Sequence, residues 1–190
     1  MSVYIDQLKL LTNHDLPTSY YNLLDGTADF SKAKYNSGGE VSSKITPYGN
    51  KSFHKTNAWD FPIFASQLEK GAIYTFSVNI FVEQNTEGVL KTWWSNDVAD
   101  TFDTASIDLK TVPTNTWIKF IAHFKSNNSG VYDEIGVHPD ADTSIYVGDY
   151  MLNKGSIPLD WNYSLNDIKS KLGGVKPSYR LCVTSVKEVA

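Results

Sequence analysis

The 190-residue sequence contains a single cysteine, Cys182. No intrachain disulfide can form, so the fold must be held by its core or by metal rather than by covalent staples. Long apolar runs are missing too, and no stretch is long enough to span a bilayer. The opening residues, MSVYIDQLKLLTNHD, lack the basic-then-apolar pattern of an export signal. These absences give the expectation of a soluble chain made in a cytoplasm, without membrane insertion. Positive charge is scarce and scattered, with 17 Lys and Arg against 21 Asp and Glu and a net charge of −4. No Lys/Arg cluster has the electrostatic footprint of a phosphate-neutralising surface, so nucleic acid is not an expected partner.

Motifs for catalysis are equally thin. There is no nucleophile elbow, no HExxH, no phosphate-cradling Gly-rich loop and no Cys-His pairing near Cys182. His14, His54, His123 and His138 are too scattered for a zinc site. Glu83, Glu87 and Glu134 are the residues left for a glycosidase, whose paired carboxylates need only closeness in space. The expectation is a protein that is not an enzyme.

What the chain has is aromatic residues, 13 percent of the total, with 11 Tyr and 5 Trp. They suit sheet packing and also stacking against ligands. The length fits one main domain with arms. From about residue 40 to residue 152, period-2 segments dominate and turn residues separate them. Tyr74, Phe76, Val78, Ile80 and Val82 form one apolar face of the clearest strand, with Thr75, Ser77, Asn79 and Phe81 on the other. In 117–125, Ile118, Phe120, Ala122 and Phe124 point inward, while Trp117, Lys119, Ile121, His123 and Lys125 share a mixed face. Shorter strands are expected at 39–45, 50–57, 88–96, 106–112 and 134–138.

The last of about eight strands lies in 144–152, with Tyr146, Gly148, Tyr150 and Leu152 on one face and Ile145, Val147, Asp149 and Met151 on the other. Asp149 then sits among apolar residues, either at a solvent-facing rim or as an oxygen ligand of a structural ion. Two sheets of about four strands make an all-β, jelly-roll-like β-sandwich of two antiparallel sheets; a barrel is the other arrangement the spacing allows. Residues 1–20 read as an N-terminal arm. Ser164-Leu165-Asn166-Asp167 opens a short C-terminal helix over 165–172, which Gly173-Gly174 ends, and 179–186 reads as one more strand.

Several segments, in this order and separation, carry a family likeness. They are Asn22-Leu23-Leu24-Asp25-Gly26-Thr27-Ala28-Asp29-Phe30, Gly71-Ala72-Ile73-Tyr74-Thr75-Phe76-Ser77, Thr116-Trp117, Gly148-Asp149-Tyr150-Met151-Leu152-Asn153-Lys154-Gly155-Ser156 and Asp160-Trp161. With them, residues 21–161 resemble the jelly-roll carbohydrate-binding modules of tail and baseplate proteins of phages that infect Gram-positive bacteria; related modules are appended to polysaccharide-degrading enzymes. The resemblance implies a two-sheet sandwich that binds a glycan without catalysis and adheres to host cell-wall polysaccharide. It also implies residence in the virion and contact with other tail or baseplate proteins. A module of a secreted glycan-degrading protein and a purely structural virion protein are the alternatives. The arm 1–20 and the extension 162–190 fall outside the likeness and are the parts expected to dock or to pair between protomers.

A sugar offers a weakly polar C–H face rimmed by hydroxyls, so its site needs flat aromatic platforms beside fixed hydrogen-bond partners. Trp93-Trp94 is the first candidate: on a strand one of the two faces the core and the other faces out. Trp94 is in phase with Leu90 and Thr92, and Trp93 with Val89 and Lys91. His123, Asn79 and Phe81, on the second faces of the two best strands, form a candidate floor. Trp59, Phe102 and Tyr132 lie in loop-like sequence, where binding residues concentrate. Trp117 and Trp161 read as packing residues. The family likeness places Asp25, Asp29 and Asp149 on neighbouring strands, which suits a structural Ca2+; turn chemistry is the competing reading of these acids.

Overall fold

The computed structural model describes residues 20–35, 39–56, 61–84, 86–93, 99–101, 106–127 and 129–171. In chain order the strands are β1 (Gly39–Ile45), β2 (Lys51–Lys55), β3 (Ile63–Leu68), β4 (Ile73–Val82), β5 (Val89–Trp93), β6 (Ala99–Thr101), β7 (Ser106–Asp108), β8 (Trp117–Ser126), β9 (Gly130–Pro139) and β10 (Ile145–Lys154), followed by α1 (Leu165–Lys171). They form a six-stranded sheet, β1-β2-β10-β4-β8-β6, and a four-stranded sheet, β3-β9-β5-β7. The named strand pairings are all antiparallel. The expected all-β sandwich is therefore present, with β3 and β6 added to the strands read from sequence and the sheets divided six and four. Residues 1–19 and 172–190, which include the strand expected at 179–186, lie outside the described residues.

The core between the sheets is set by alternation. Tyr74, Phe76, Val78, Ile80 and Val82 of β4 face Leu90 of β5 and Tyr132, Ile135 and Val137 of β9, all almost completely buried. Phe30, at φ 62, closes one end against Phe53, Phe64 and Tyr150. A β-branched or aromatic residue holds this left-handed backbone only under strain, so burial of the ring is what stabilises the turn.

β10 departs from strict alternation. Its register against β4 shifts between Gly148 and Met151, and Asp149 has φ 53. This β-bulge moves the phase by one residue, so Ile145, Val147, Tyr150 and Leu152 all point into the core. The uninterrupted two-face division of 144–152 is thereby corrected. The side chain of Asn22 satisfies the backbone around the bulge, donating through Nδ2 to Tyr150 O at 2.7 Å and accepting through Oδ1 from Leu152 N at 3.0 Å. Residues 22–30 run as turns rather than as a strand.

Two segments lie across the outer face of the six-stranded sheet. The 46–50 turn between β1 and β2 folds over β10, packing Thr46 so closely on Gly148 that a Cβ there would clash with it. The strap after β10 crosses β4 and β8, where Thr75 Oγ1 donates to Gly155 O at 2.7 Å and His123 Nε2 lies 2.9 Å from Ser156 O. Tyr48 Oη and Lys119 Nζ both hold Asp160 Oδ1, at 2.6 and 3.1 Å. This cover buries Thr75, Ser77 and Asn79 on the second face of β4.

Helix α1 starts as its sequence implies, with Ser164 Oγ accepting from Asp167 N at 3.0 Å. The Asp167 carboxylate turns instead to Gly26 N, 3.0 Å from each oxygen, and Asn166 Nδ2 donates to Asp25 Oδ2 at 2.8 Å. With the parallel Asn22–Ser164 bridge, these bonds latch the end of the described chain onto its beginning.

Candidate functional site

Register decides which side of the four-stranded sheet each residue of β5 occupies. Leu90 pairs with Pro139, Lys91 with His138, Thr92 with Val137 and Trp93 with Gly136. Leu90 and Val137 are wholly buried in the core, so Lys91, Trp93, Gly136 and His138 share the outer face. The phase ambiguity of the Trp93-Trp94 pair is thus resolved at Trp93, which is half-buried.

The partners of Trp93 are supplied by β9. An extra residue in β9 between Tyr132 and Ile135, opposite Phe64 and Ser66 of β3, keeps both Tyr132 and Ile135 inward. Glu134 then accepts from Trp93 Nε1 at 3.0 Å. His138 meets the indole edge-to-face, with centroids 5.1 Å apart, and also stacks on Phe61 at 5.5 Å and 26°. Phe61 is brought there by chain that crosses Gly136 closely: a Cβ on Gly136 would stand 2.7 Å from Pro62 O. Beside this cluster Lys91 pairs with Asp140 at 3.4 Å, and Asp140 Oδ1 also accepts from Val89 N at 2.7 Å.

The electrostatics leave the imidazole of this cluster uncharged. Burial pushes the His138 imidazole below its ordinary range, with Lys91 and Lys55 adding repulsion, so the ring is neutral at pH 7. Asp140 is held below the usual carboxylate range, first by the Val89 N–H and then by Lys91. The outcome is an indole braced by a carboxylate and an imidazole, next to a polar ion pair. Such a surface can stack on an apolar ring face and hydrogen-bond to hydroxyls around it.

The other sequence candidates are dispersed. Trp59, Trp94 and Phe102 lie outside the described residues. Tyr132 is not a loop aromatic: β9 begins at Gly130, so Tyr132 faces the core at 3% exposure and its hydroxyl lies 2.7 Å from Ser126 Oγ. His123, Asn79 and Phe81 do share the outer face of the six-stranded sheet, but it is not an open floor. The strap binds His123, Asn79 is buried and donates to Asp149 Oδ2 at 2.8 Å, and Lys44 Nζ sits 4.0 Å above the Phe81 ring. Trp117 packs on Phe81 at 5.3 Å, and Trp161 Nε1 donates to Thr27 Oγ1 at 3.0 Å.

The three candidate ion ligands are also kept apart. Asp149 is 2% exposed, and its Oδ1 accepts from Thr46 Oγ1 and Asn50 Nδ2, both at 2.6 Å. Together with Asn79 these donors occupy the carboxylate that an ion would need, and the arrangement does not fit Ca2+. Asp25 binds Asn166, and Asp29 Oδ1 accepts from Ser31 N at 3.1 Å. Among the described residues no group of three His, Cys, Asp or Glu side chains could hold a metal ion. His138 and Phe61 were missed in the sequence; the signal for His138 was its strand phase opposite Lys91, legible only once β5 and β9 are paired.

No family model and no curated protein matches the sequence. Among solved structures, the N-terminal CBM22 tandem domain of Paenibacillus barcinonensis Xyn10C is similar, at 11% identity and a TM-score of 0.52, over 76% of this chain and 49% of that one. The CBM22-1-GH10 modules of Clostridium thermocellum Xyn10B, in complex with xylohexaose, match at 12% identity and a TM-score of 0.48, over 73% of this chain and 29% of that one. The BppUct-A-L tripod of the bacteriophage Tuc2009 baseplate matches at 16% identity and a TM-score of 0.46, over 78% of this chain and 60% of that one. At such identities the likeness is one of architecture: this chain has the two-sheet jelly-roll sandwich found in carbohydrate-binding modules.

Proposed function

We propose that the chain is a non-catalytic carbohydrate-binding module that holds a saccharide against the outer face of the four-stranded sheet. The observation that carries this reading is Trp93, an indole turned out of the core and fixed in place by Glu134 and His138. A tryptophan turned out of the core and held in a fixed orientation is what a sugar platform requires. Binding rather than hydrolysis is favoured because the three glutamates have separate tasks. Glu134 orients the indole, Glu83 pairs with Lys44 at 3.1 Å and Glu87 with Lys110 at 3.0 Å. The resemblance in sequence to tail and baseplate modules makes host cell-wall polysaccharide the proposed ligand, the virion the proposed location and other tail or baseplate proteins the proposed neighbours.

Retention on purified Gram-positive cell walls, followed by isothermal titration with the released polysaccharide, tests the reading. Trp93→Ala is expected to weaken binding about tenfold, equivalent to ~1.4 kcal/mol, with the chain still folded at the temperature of the titration. Absence of retention by the unaltered chain at high protein concentration would reject the proposal, and release of reducing ends would replace it with hydrolysis.

A further inference from the structure

A concavity of about 350 Å³, separate from the Trp93 face, opens between the turn at 25–31, the β1–β2 hairpin and α1. Asp29, Ser31, Lys51, Tyr163, Asp167 and Lys171 are among the residues that line it. Two carboxylates and two ammonium groups balance, so the cleft favours neither a polyanion nor a polycation. Burial works to raise Asp29, but the Ser31 hydrogen bonds and the Lys51 charge outweigh it and keep the carboxyl below its ordinary range. Acceptors and donors thus line the same cleft. A sugar hydroxyl both donates and accepts, so it is the ligand group that uses both.

Tyr163 adds an aromatic wall, its ring set edge-to-face against Trp161 at 4.8 Å. Lys171 Nζ lies 3.7 Å from the ring centroid; it is an exposed side chain on a flexible stem and can leave the ring when a ligand arrives. The volume is near the lower end of ligand pockets, about 300–1,000 Å³. It suits the end of a chain rather than a long internal stretch.

We propose that this cleft is a second saccharide subsite, taking the terminal unit of a neutral glycan, with Tyr163 as the stacking wall and Asp29 and Lys51 as hydrogen-bond partners. The proposal rests on the reading of the chain as a saccharide binder, and it gives the two surfaces different tasks. The Trp93 face takes the side of a glycan chain, and the cleft takes its tip.

The test is an amide NMR titration of the full chain with the methyl glycosides of glucose, xylose, mannose and N-acetylglucosamine, with sodium acetate and ammonium chloride as charge controls. At least one sugar is expected to shift the Gly26, Ser31 and Lys51 amides saturably. Tyr163→Leu and, on an exposed side chain that leaves the fold intact, Lys51→Gln are each expected to weaken that response about tenfold. No shift at these amides with any of the four sugars overturns the proposal, as does the same shift with acetate or ammonium alone. Movement at Trp93 with a silent cleft overturns the cleft alone; movement at the cleft with a silent Trp93 supports the cleft and removes the sheet-face assignment.

Discussion

Adjacent residues on the bulge of β10 bury polar groups in opposite circumstances. Asp149 accepts from Thr46, Asn50 and Asn79, whereas the Tyr150 hydroxyl, enclosed by Phe30, Phe64 and Phe76, has no hydrogen-bond partner among the described residues. Removing a carboxylate from three buried donors leaves each of them unsatisfied, so Asp149→Ala is expected to cost about 3 kcal/mol or more. Removing an unpartnered hydroxyl has the reverse sign. Tyr150→Phe is expected to stabilise by roughly 1 kcal/mol, because the unfolded chain no longer gives up hydration of that oxygen. Urea unfolding of the two variants decides both; a destabilised Tyr150→Phe would mean that the hydroxyl has a partner.

Elements explain where the sequence was legible. β4 and β8 could be read directly because both keep an unbroken period of two and their inward residues are apolar up to Ser126, the last residue of β8. β3 could not, since its core face includes the buried Ser66 and its strand directly follows Pro62. The faces of β10 were misassigned because a bulge leaves no mark in alternation beyond Asp149 itself, one of the residue types that tolerates a positive φ. At the candidate site, Trp93 was visible as one of two alternatives, but the choice depended on which residue of β9 lay opposite. Long-range register is not contained in local pattern, and Phe61 and His138 were invisible for that reason.

The crossing of the 61–62 segment over β9 makes a related prediction. Gly136→Ala forces a methyl group against Pro62 O and Ile63 Cγ2, and overpacking of this kind costs about 1–3 kcal/mol. Phe61 is carried away from His138 by the same displacement. The variant is therefore expected to lose saccharide binding and thermal stability together, as read by titration and by thermal melting.

For the whole molecule, pH and divalent ions give the broadest tests. His138 has a folded-state value below the ordinary 6.5. Above that pH both folded and unfolded chains are neutral there and stability is full. As pH falls below 6.5 the unfolded chain takes up a proton that the folded chain resists, so stability declines through the folded value. Melting curves across this interval should fall less steeply for His138→Gln. Chelation with EDTA is expected to leave the melting temperature unchanged, since the Asp149 carboxylate is filled by donors. A drop on chelation that calcium restores would put an ion at Asp149 instead.

The latch between the 22–26 turn and the 164–167 segment has a mechanical consequence. Asn22 lies beside Ser164, and Asp25 and Gly26 are bonded to Asn166 and Asp167. The sandwich therefore hangs from one point, as a bead does from a knotted loop. A pull applied between Tyr20 and Lys171 loads these few bonds first, so the joint yields and opens the cleft between the 25–31 turn and α1 while the Trp93 face keeps its shape under tension.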